Sequence, residues 1–138
     1  MMGLYNIFNV TGSAMSAQSV RLNTVASNLA NADVVASSKD KIYRSRQPVF
    51  AAVMDDLNQN QSSIPVRVAG IVESRAKAVQ LYQPDNPKAD KDGYVYKSNV
   101  NTIEAMTNMM AASRSYQNNV DVFNTSKTLL LKTLSLGK

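Results

Sequence analysis

Cysteine, histidine and tryptophan are absent from the 138 residues. Their absence excludes thiol nucleophiles, imidazole bases, His- or Cys-built metal sites and every Ser-His or Cys-His catalytic pairing. Carboxylates could still act as acids or bases, but the ten Asp and Glu are scattered and mostly interleaved with Lys or Arg, so no isolated pair stands out. The chain therefore reads as a non-enzyme, with no catalytic, cofactor-binding or metal-binding residue to assign. Without cysteine there is no disulfide framework either. Long apolar runs are also missing: no window approaches the ~18 residues needed to span a bilayer, so membrane insertion is not expected. The first fifteen residues, MMGLYNIFNVTGSAM, lack a basic leader and are dotted with Asn, Thr and Ser instead of forming an unbroken apolar core. If the chain leaves the cytoplasm, it is expected to do so without a cleaved signal peptide.

The net charge is +5, with Lys39, Lys41, Arg44 and Arg46 as the densest basic group and Asp40 inside it. This pattern reads as a solvated loop face. No zinc-finger, RNP or helix-turn-helix signature accompanies it, and no nucleic-acid partner is expected. Charge is unevenly distributed along the chain: Leu4 to Ala32 holds one charged residue, Asp33 to Val100 holds eighteen, and Asn101 to Leu136 holds five. At the usual ~25% charged residues, the two terminal stretches together would carry roughly sixteen. They carry six, so protein rather than water is expected to cover much of their surface. The boundaries follow as residues 1–32, 33–100 and 101–138.

In the first stretch Leu4, Phe8, Met15, Leu22, Val25 and Leu29 recur at intervals of three and four, with Thr11 and Gln18 filling the missing turns. This is the stripe of an amphipathic helix from about Leu4 to Ala30. Its opposite face carries Asn6, Asn9, Ser13, Ser16, Asn23 and Ser27 where a surface helix would show Lys and Glu. Asn28, Asn31 and Asp33 supply termination chemistry. The last stretch repeats the design. Asn101-Thr-Ile-Glu104 resembles a capping box, and Met106, Met109, Tyr116, Val120, Phe123, Leu130 and Leu134 form a second stripe, with Gly137 marking its end. Periodicity alone fits a long oligomerisation helix and a pair of core helices in a small bundle equally well.

Between the helices the period changes. IPVRVAGIVES, around Pro65, alternates Val66, Val68 and, past Gly70, Val72, which reads as a half-exposed strand with a bulge at the glycine. A second strand is expected at Ala78 to Tyr82. A polar loop and an Asp92-Gly93 turn follow, leading to a short extended piece from which Tyr94 and Tyr96 project together. Tyr43 to Phe50 reads as another extended element, and Met54 to Ser63 carries no assignable pattern. The fold class is α+β, with long terminal helices packed as a coiled pair around a small β-containing middle domain.

Six stripe residues bury too little apolar surface to order so long a helix alone, so the terminal helices need each other. Their neutral outer faces call for contacts on further sides, as in an array built from heterologous interfaces.

Ser13 to Asp33, SAMSAQSVRLNTVASNLANAD, resembles the N-terminal motif of the flagellar rod and hook axial proteins, a helix ending in Ala-Ser-Asn-x-Ala-Asn. Asn99 to Lys138, opening Asn-Val-Asn and closing Leu-Lys-Thr-Leu before Ser135, is similar to the other end of that family, and the short middle suits a proximal rod member. Ser98 departs from the pattern, which has proline there, and the substitution is expected to loosen the approach to the second helix. The resemblance implies a structural subunit of the basal-body rod, the drive shaft carrying torque across the periplasm. It further implies copies of itself and other rod proteins as partners, together with the rod-base adaptor and rotor ring. It implies passage through the flagellar type III export apparatus without a cleaved signal, unfolded, with folding on assembly. In this picture the two helical stripes face each other within a subunit, the Asn and Ser faces bond to neighbours, and the stripes, with Asn28 and Asn31, form the assembly interface of an inner tube. Two other classes stand beside it: a helical adaptor or export chaperone presenting apolar stripes, and a basic nucleic-acid-binding module.

Overall fold

The structure, a computed structural model, describes residues 2–54 and 63–138. Helix α1 spans Met2–Ala30 and α2 spans Thr102–Leu136; between them lie β1 (Val35–Ala36), β2 (Arg46–Ala52), β3 (Val66–Glu73), β4 (Val79–Tyr82) and β5 (Tyr94–Lys97). The α+β class, with long helices flanking a small β region, is the one the charge and period changes indicate.

The helices run antiparallel. Phe8 meets Phe123 edge to face at 5.0 Å between ring centroids, and Arg21 Nε donates to Asn108 Oδ1 at 2.6 Å. Moving thirteen residues forward on α1 thus moves fifteen backward on α2. By that register Met2 lies opposite about residue 129, and the last turns of α2, roughly 10 Å at 1.5 Å per residue, run past it.

Local chemistry sets both inner helix ends. Asn101 is the N-cap of α2, its side chain accepting from the backbone N–H groups of Ile103 and Glu104. Asn31 closes α1 by donating its side-chain amide to the Ser27 carbonyl at 2.8 Å. Gly137 ends α2, with an ordinary φ of −85° and its N–H on the Thr133 carbonyl. No left-handed residue is involved there.

Two small antiparallel sheets occupy the middle. One has the order β1-β5-β4; the other is the pair β2-β3. Opposite Val49 and Phe50 the register on β3 passes from Gly70 to Val68, so Ala69 is the extra residue of a bulge beside the glycine. Gly93, at φ +83°, makes the turn into β5. The two-residue β1, which pairs with Tyr96 and Lys97, has no counterpart in the sequence pattern. Tyr94 meets the Tyr82 ring edge to face at 5.2 Å, while Tyr96 is buried and donates its hydroxyl to Asp90. The unassigned stretch Met54 to Ser63 lies, apart from its two end residues, outside the described residues.

The packed core sits where α1 ends, β5 passes and α2 begins. Val25, Val95 and Ser98 are the largest fully buried side chains. Ser98 corrects the expectation of a loosened approach to α2. Its N–H donates to the Val34 carbonyl at 3.4 Å, a bond closed to proline, and its hydroxyl accepts from the Val100 N–H at 3.1 Å. The serine fixes this turn.

Candidate assembly site

The intramolecular seam uses smaller residues than the stripes indicate. On α2 the buried positions are Ala105, Ala112 and Ser126, spaced by seven and fourteen. Alanine and serine at the contact allow helix axes to approach closely. On α1, Thr11, Ala17, Thr24, Val25 and Asn28 are buried. Thr11 and Thr24 return their hydroxyls to the carbonyls of Ile7 and Val20, which lets a polar residue be buried at no loss of hydrogen bonding.

Of the stripe on α1, Val25 is fully buried; Leu4, Phe8, Met15, Leu22 and Leu29 are half-buried. On α2, Met109, Val120, Phe123 and Leu130 are half-buried, and Phe123 reaches Phe8. Met106 (57% exposed), Tyr116 (37%) and Leu134 (50%) are open to solvent, which corrects the expectation that α1 covers the whole row. The reason is geometric: Met106 sits one residue round the helix from the buried Ala105, and Leu134 lies on the turns of α2 that run past the start of α1. A row of small residues at sevenfold spacing was the available signal for the seam.

The Asn and Ser face of α1 divides in two. Asn6, Ser13 and Ser27 bond within the chain: Asn6 to Ser63, Ser13 to the N–H of Val66 and Ser27 to the Tyr43 hydroxyl. Facing outward is a second row at strict intervals of four and three: Tyr5, Asn9, Gly12, Ser16, Ser19, Asn23, Ala26 and Ala30. All but the half-buried Gly12 are exposed, and none is charged. On α2, Ile103, Met106, Met110, Leu129, Leu131, Leu134 and Leu136 are exposed as well, the last four in or beside the overhanging turns. Large apolar side chains left in water beside a neutral row are the chemistry of a surface that protein covers.

The basic group behaves differently. Lys39 lies over the Tyr96 ring at 5.8 Å, Arg44 donates to the Ser74 carbonyl at 3.4 Å, and Arg46 pairs with Glu73 at 3.2 Å. Three of its four members thus engage the chain's own groups. Among the described residues, no cluster of three or more carboxylates has metal-binding geometry, and no helix is long and apolar enough to cross a membrane.

Two family descriptions match the chain: "Flagella basal body rod protein" over residues 8–36 and "Flagellar basal body rod FlgEFG protein C-terminal" over residues 91–136. They fall on α1 with the segment after it, and on β5 with α2. The chain belongs to the flagellar basal-body rod proteins. Within them it is a member of the FlgC group: it is 49% identical to the flagellar basal-body rod protein FlgC of Salmonella typhimurium over 99% of this chain and 100% of that one. The FlgC of Yersinia enterocolitica is likewise 49% identical and that of Buchnera aphidicola from Acyrthosiphon pisum 42%, with the same coverage of both chains. The protein is a structural subunit of the flagellar basal body, and other rod proteins are its partners.

Proposed function

We propose that this subunit builds the proximal part of the rod, with α1 and α2 in an inner tube and the β-containing middle farther out. The observation that carries this reading is the uncharged outer row of α1 beside the exposed apolar residues of α2. Both belong to helices already paired with each other, so a further protein surface is needed to cover them. Residues 1–32 and 101–138 act as the tube-forming parts and 33–100 as the outer domain. Leu4, Phe8, Met15, Leu22, Val25 and Leu29 on α1, with Met106, Met109, Tyr116, Val120, Phe123, Leu130 and Leu134 on α2, stabilise the assembled tube, and Asn28 and Asn31 set the end of its helix. The exposed Met106 and Leu134 then contact neighbouring subunits rather than α1 of their own chain.

In this reading the rod crosses the periplasm and carries torque outward. Copies of the chain and other rod proteins contact it laterally and axially, and the rod-base adaptor and rotor ring lie on its inner side. It travels through the type III export apparatus without a cleaved signal. The absence of disulfides and the small packed core suit a chain that passes unfolded and folds on arrival.

A charge on the outer row tests the interface. Ser19→Glu places a carboxylate on an exposed position, so the helical signal of the free chain is expected to be unchanged, while its amount in purified basal bodies falls sharply against a coexpressed wild-type copy. Equal incorporation would refute the assignment of that row.

A further inference from the structure

At the base of the β2-β3 hairpin two asparagine side chains tie it to the helices, one near the end of α1 and one just ahead of α2. Asn28 is 4% exposed. Its Oδ1 accepts from the Arg46 N–H and the Tyr43 hydroxyl, both at 2.9 Å, and its Nδ2 donates to the Arg46 carbonyl at 2.8 Å. Bonding both backbone groups of one residue is what a strand partner does, so the Asn28 carboxamide stands in for a neighbouring strand. Asn99 bridges the two strand ends one residue along. Its Oδ1 accepts from the Ser45 N–H at 2.7 Å, and its Nδ2 donates to the carbonyls of Ser74 at 3.2 Å and Ala76 at 2.9 Å. The Ser74 N–H bonds back to the Ser45 carbonyl at 2.7 Å, which closes the ring across the base of the hairpin.

A carboxamide can accept two hydrogen bonds and donate two. Asn28 uses both acceptor positions and one donor; Asn99 uses both donors and one acceptor position. The space between them is a polar cavity of about 170 Å³ lined by both asparagines, Ser45 and Ser74. Directional bonds therefore hold this joint. At the far end of the hairpin the ties to α1 are fewer, through Ser13 and Asn6.

We infer that Asn28 and Asn99 are positioning residues that lock the angle between the helix pair and the β2-β3 hairpin, so that torque borne by the helices reaches the outer part of the subunit without slack. This rests on the reading of the chain as a torque-bearing rod subunit. Hydrogen bonds suit the task because their strength depends on direction, and a change of joint angle strains several at once. The assignment gives Asn28 an intramolecular role and adds Asn99, which the helical periodicities pass over.

The test uses Asn28→Ala, Asn99→Ala, the double variant and the milder Tyr43→Phe, each expressed in cells lacking the wild-type chain. Basal bodies are purified and scored for three things: subunit content, hydrogen exchange at Ser45 and Arg46, and torsional stiffness of the locked motor with its hook cross-linked. Subunit content is expected to stay at the wild-type level in the single variants. Losing a bond of typical net strength should speed exchange ~5- to 10-fold, at Arg46 in Asn28→Ala and at Ser45 in Asn99→Ala. Stiffness is expected to fall in both single variants, and in the double variant by less than the product of the single effects, since the two grip one strand end. Tyr43→Phe should show a smaller loss of stiffness at full incorporation. Unchanged stiffness in basal bodies with normal content of the Ala variants would overturn the joint. So would loss of incorporation in Tyr43→Phe and both single variants alike, which would make these residues assembly contacts. Absence of the wild-type chain from purified basal bodies would instead overturn the rod reading itself.

Discussion

Replacing Ala112 by leucine, with the neighbouring Ala111→Leu as its control, locates the helix seam to within one residue. Ala112 is 0% exposed and belongs to the buried row with Ala105 and Ser126; Ala111 is exposed. The two substitutions are chemically identical, and leucine has nearly the helix propensity of alanine, so intrinsic helix preference cancels between them. At 112 three added carbons must enter a contact that small residues hold close. Overpacking of this kind costs about 1–3 kcal/mol. At 111 the same carbons enter solvent, and the change should stay within about 0.5 kcal/mol. The measurement is urea unfolding of the full chain followed by helical circular dichroism, with an osmolyte added to secure a folded baseline. Ala112→Leu is expected to lower the midpoint with an unchanged slope, and Ala111→Leu to leave it in place. If both variants unfold at the same midpoint, or Ala111→Leu is the weaker, the seam has been placed on the wrong row.

Gly93→Ala should destabilise the β4-β5 turn, because an L side chain at φ +83° is strained and its Cβ would lie 3.0 Å from the Tyr82 ring and 3.2 Å from Pro84. The left-handed backbone alone costs about 1–2 kcal/mol, read as faster exchange of the Gln83 N–H that bonds to the Gly93 carbonyl. Asp90 is held below its ordinary pKa of 3.8, chiefly by the Tyr94 N–H and also by the Tyr96 hydroxyl; Tyr96 is raised above 10.0, first by that same bond. A depressed carboxylate contributes above its unfolded pKa and loses that contribution as pH falls through the folded value. A raised phenol contributes below its unfolded pKa and loses its contribution as pH rises through the folded value. The loop should therefore stay ordered from below 3.8 to above 10.0 in a tyrosine-resolved NMR titration, and Asp90→Asn should abolish the acid transition. Leu22→Asp and Leu130→Asp put carboxylates on half-buried stripe positions and should each abolish rod assembly and swimming while the protein is still made; normal swimming in both would refute the stripe assignment.

What the sequence reveals depends on how local the cause is. The N-cap at Asn101, the bulge beside Gly70 and the turn at Gly93 each follow from one or two residues, and each is where the residues indicate. The helices follow from period and length, and the charge contrast locates their ends. On α2 hydrophobic periodicity weights Met106 and Leu134 heavily and Ala105, Ala112 and Ser126 hardly at all, whereas close helix packing favours the small ones, so the most buried positions of the seam are ones the pattern passes over. Strand β1 has two residues and exists through its pairing with β5, about sixty positions away, so no local pattern marks it. The asparagine joint is illegible for the same reason. Asn28 looks like helix-terminal punctuation and Asn99 like a residue ahead of an N-cap, and only the return of β2 beneath both gives their carboxamides a common target. Ser98 shows the opposite error: departure from a family pattern suggested a loose turn, yet the serine makes bonds that proline would forbid.

The most direct test of the whole account is an image reconstruction of the intact basal body, at a resolution that traces helices, from cells expressing this chain. The chain should be found in the proximal shaft, with α1 and α2 lining the inner tube, the row from Tyr5 to Ala30 against a neighbouring subunit and the β-containing middle farther from the axis. Density for the chain outside the shaft, or a shaft in which the sheets line the axis and the helices face solvent, would contradict it.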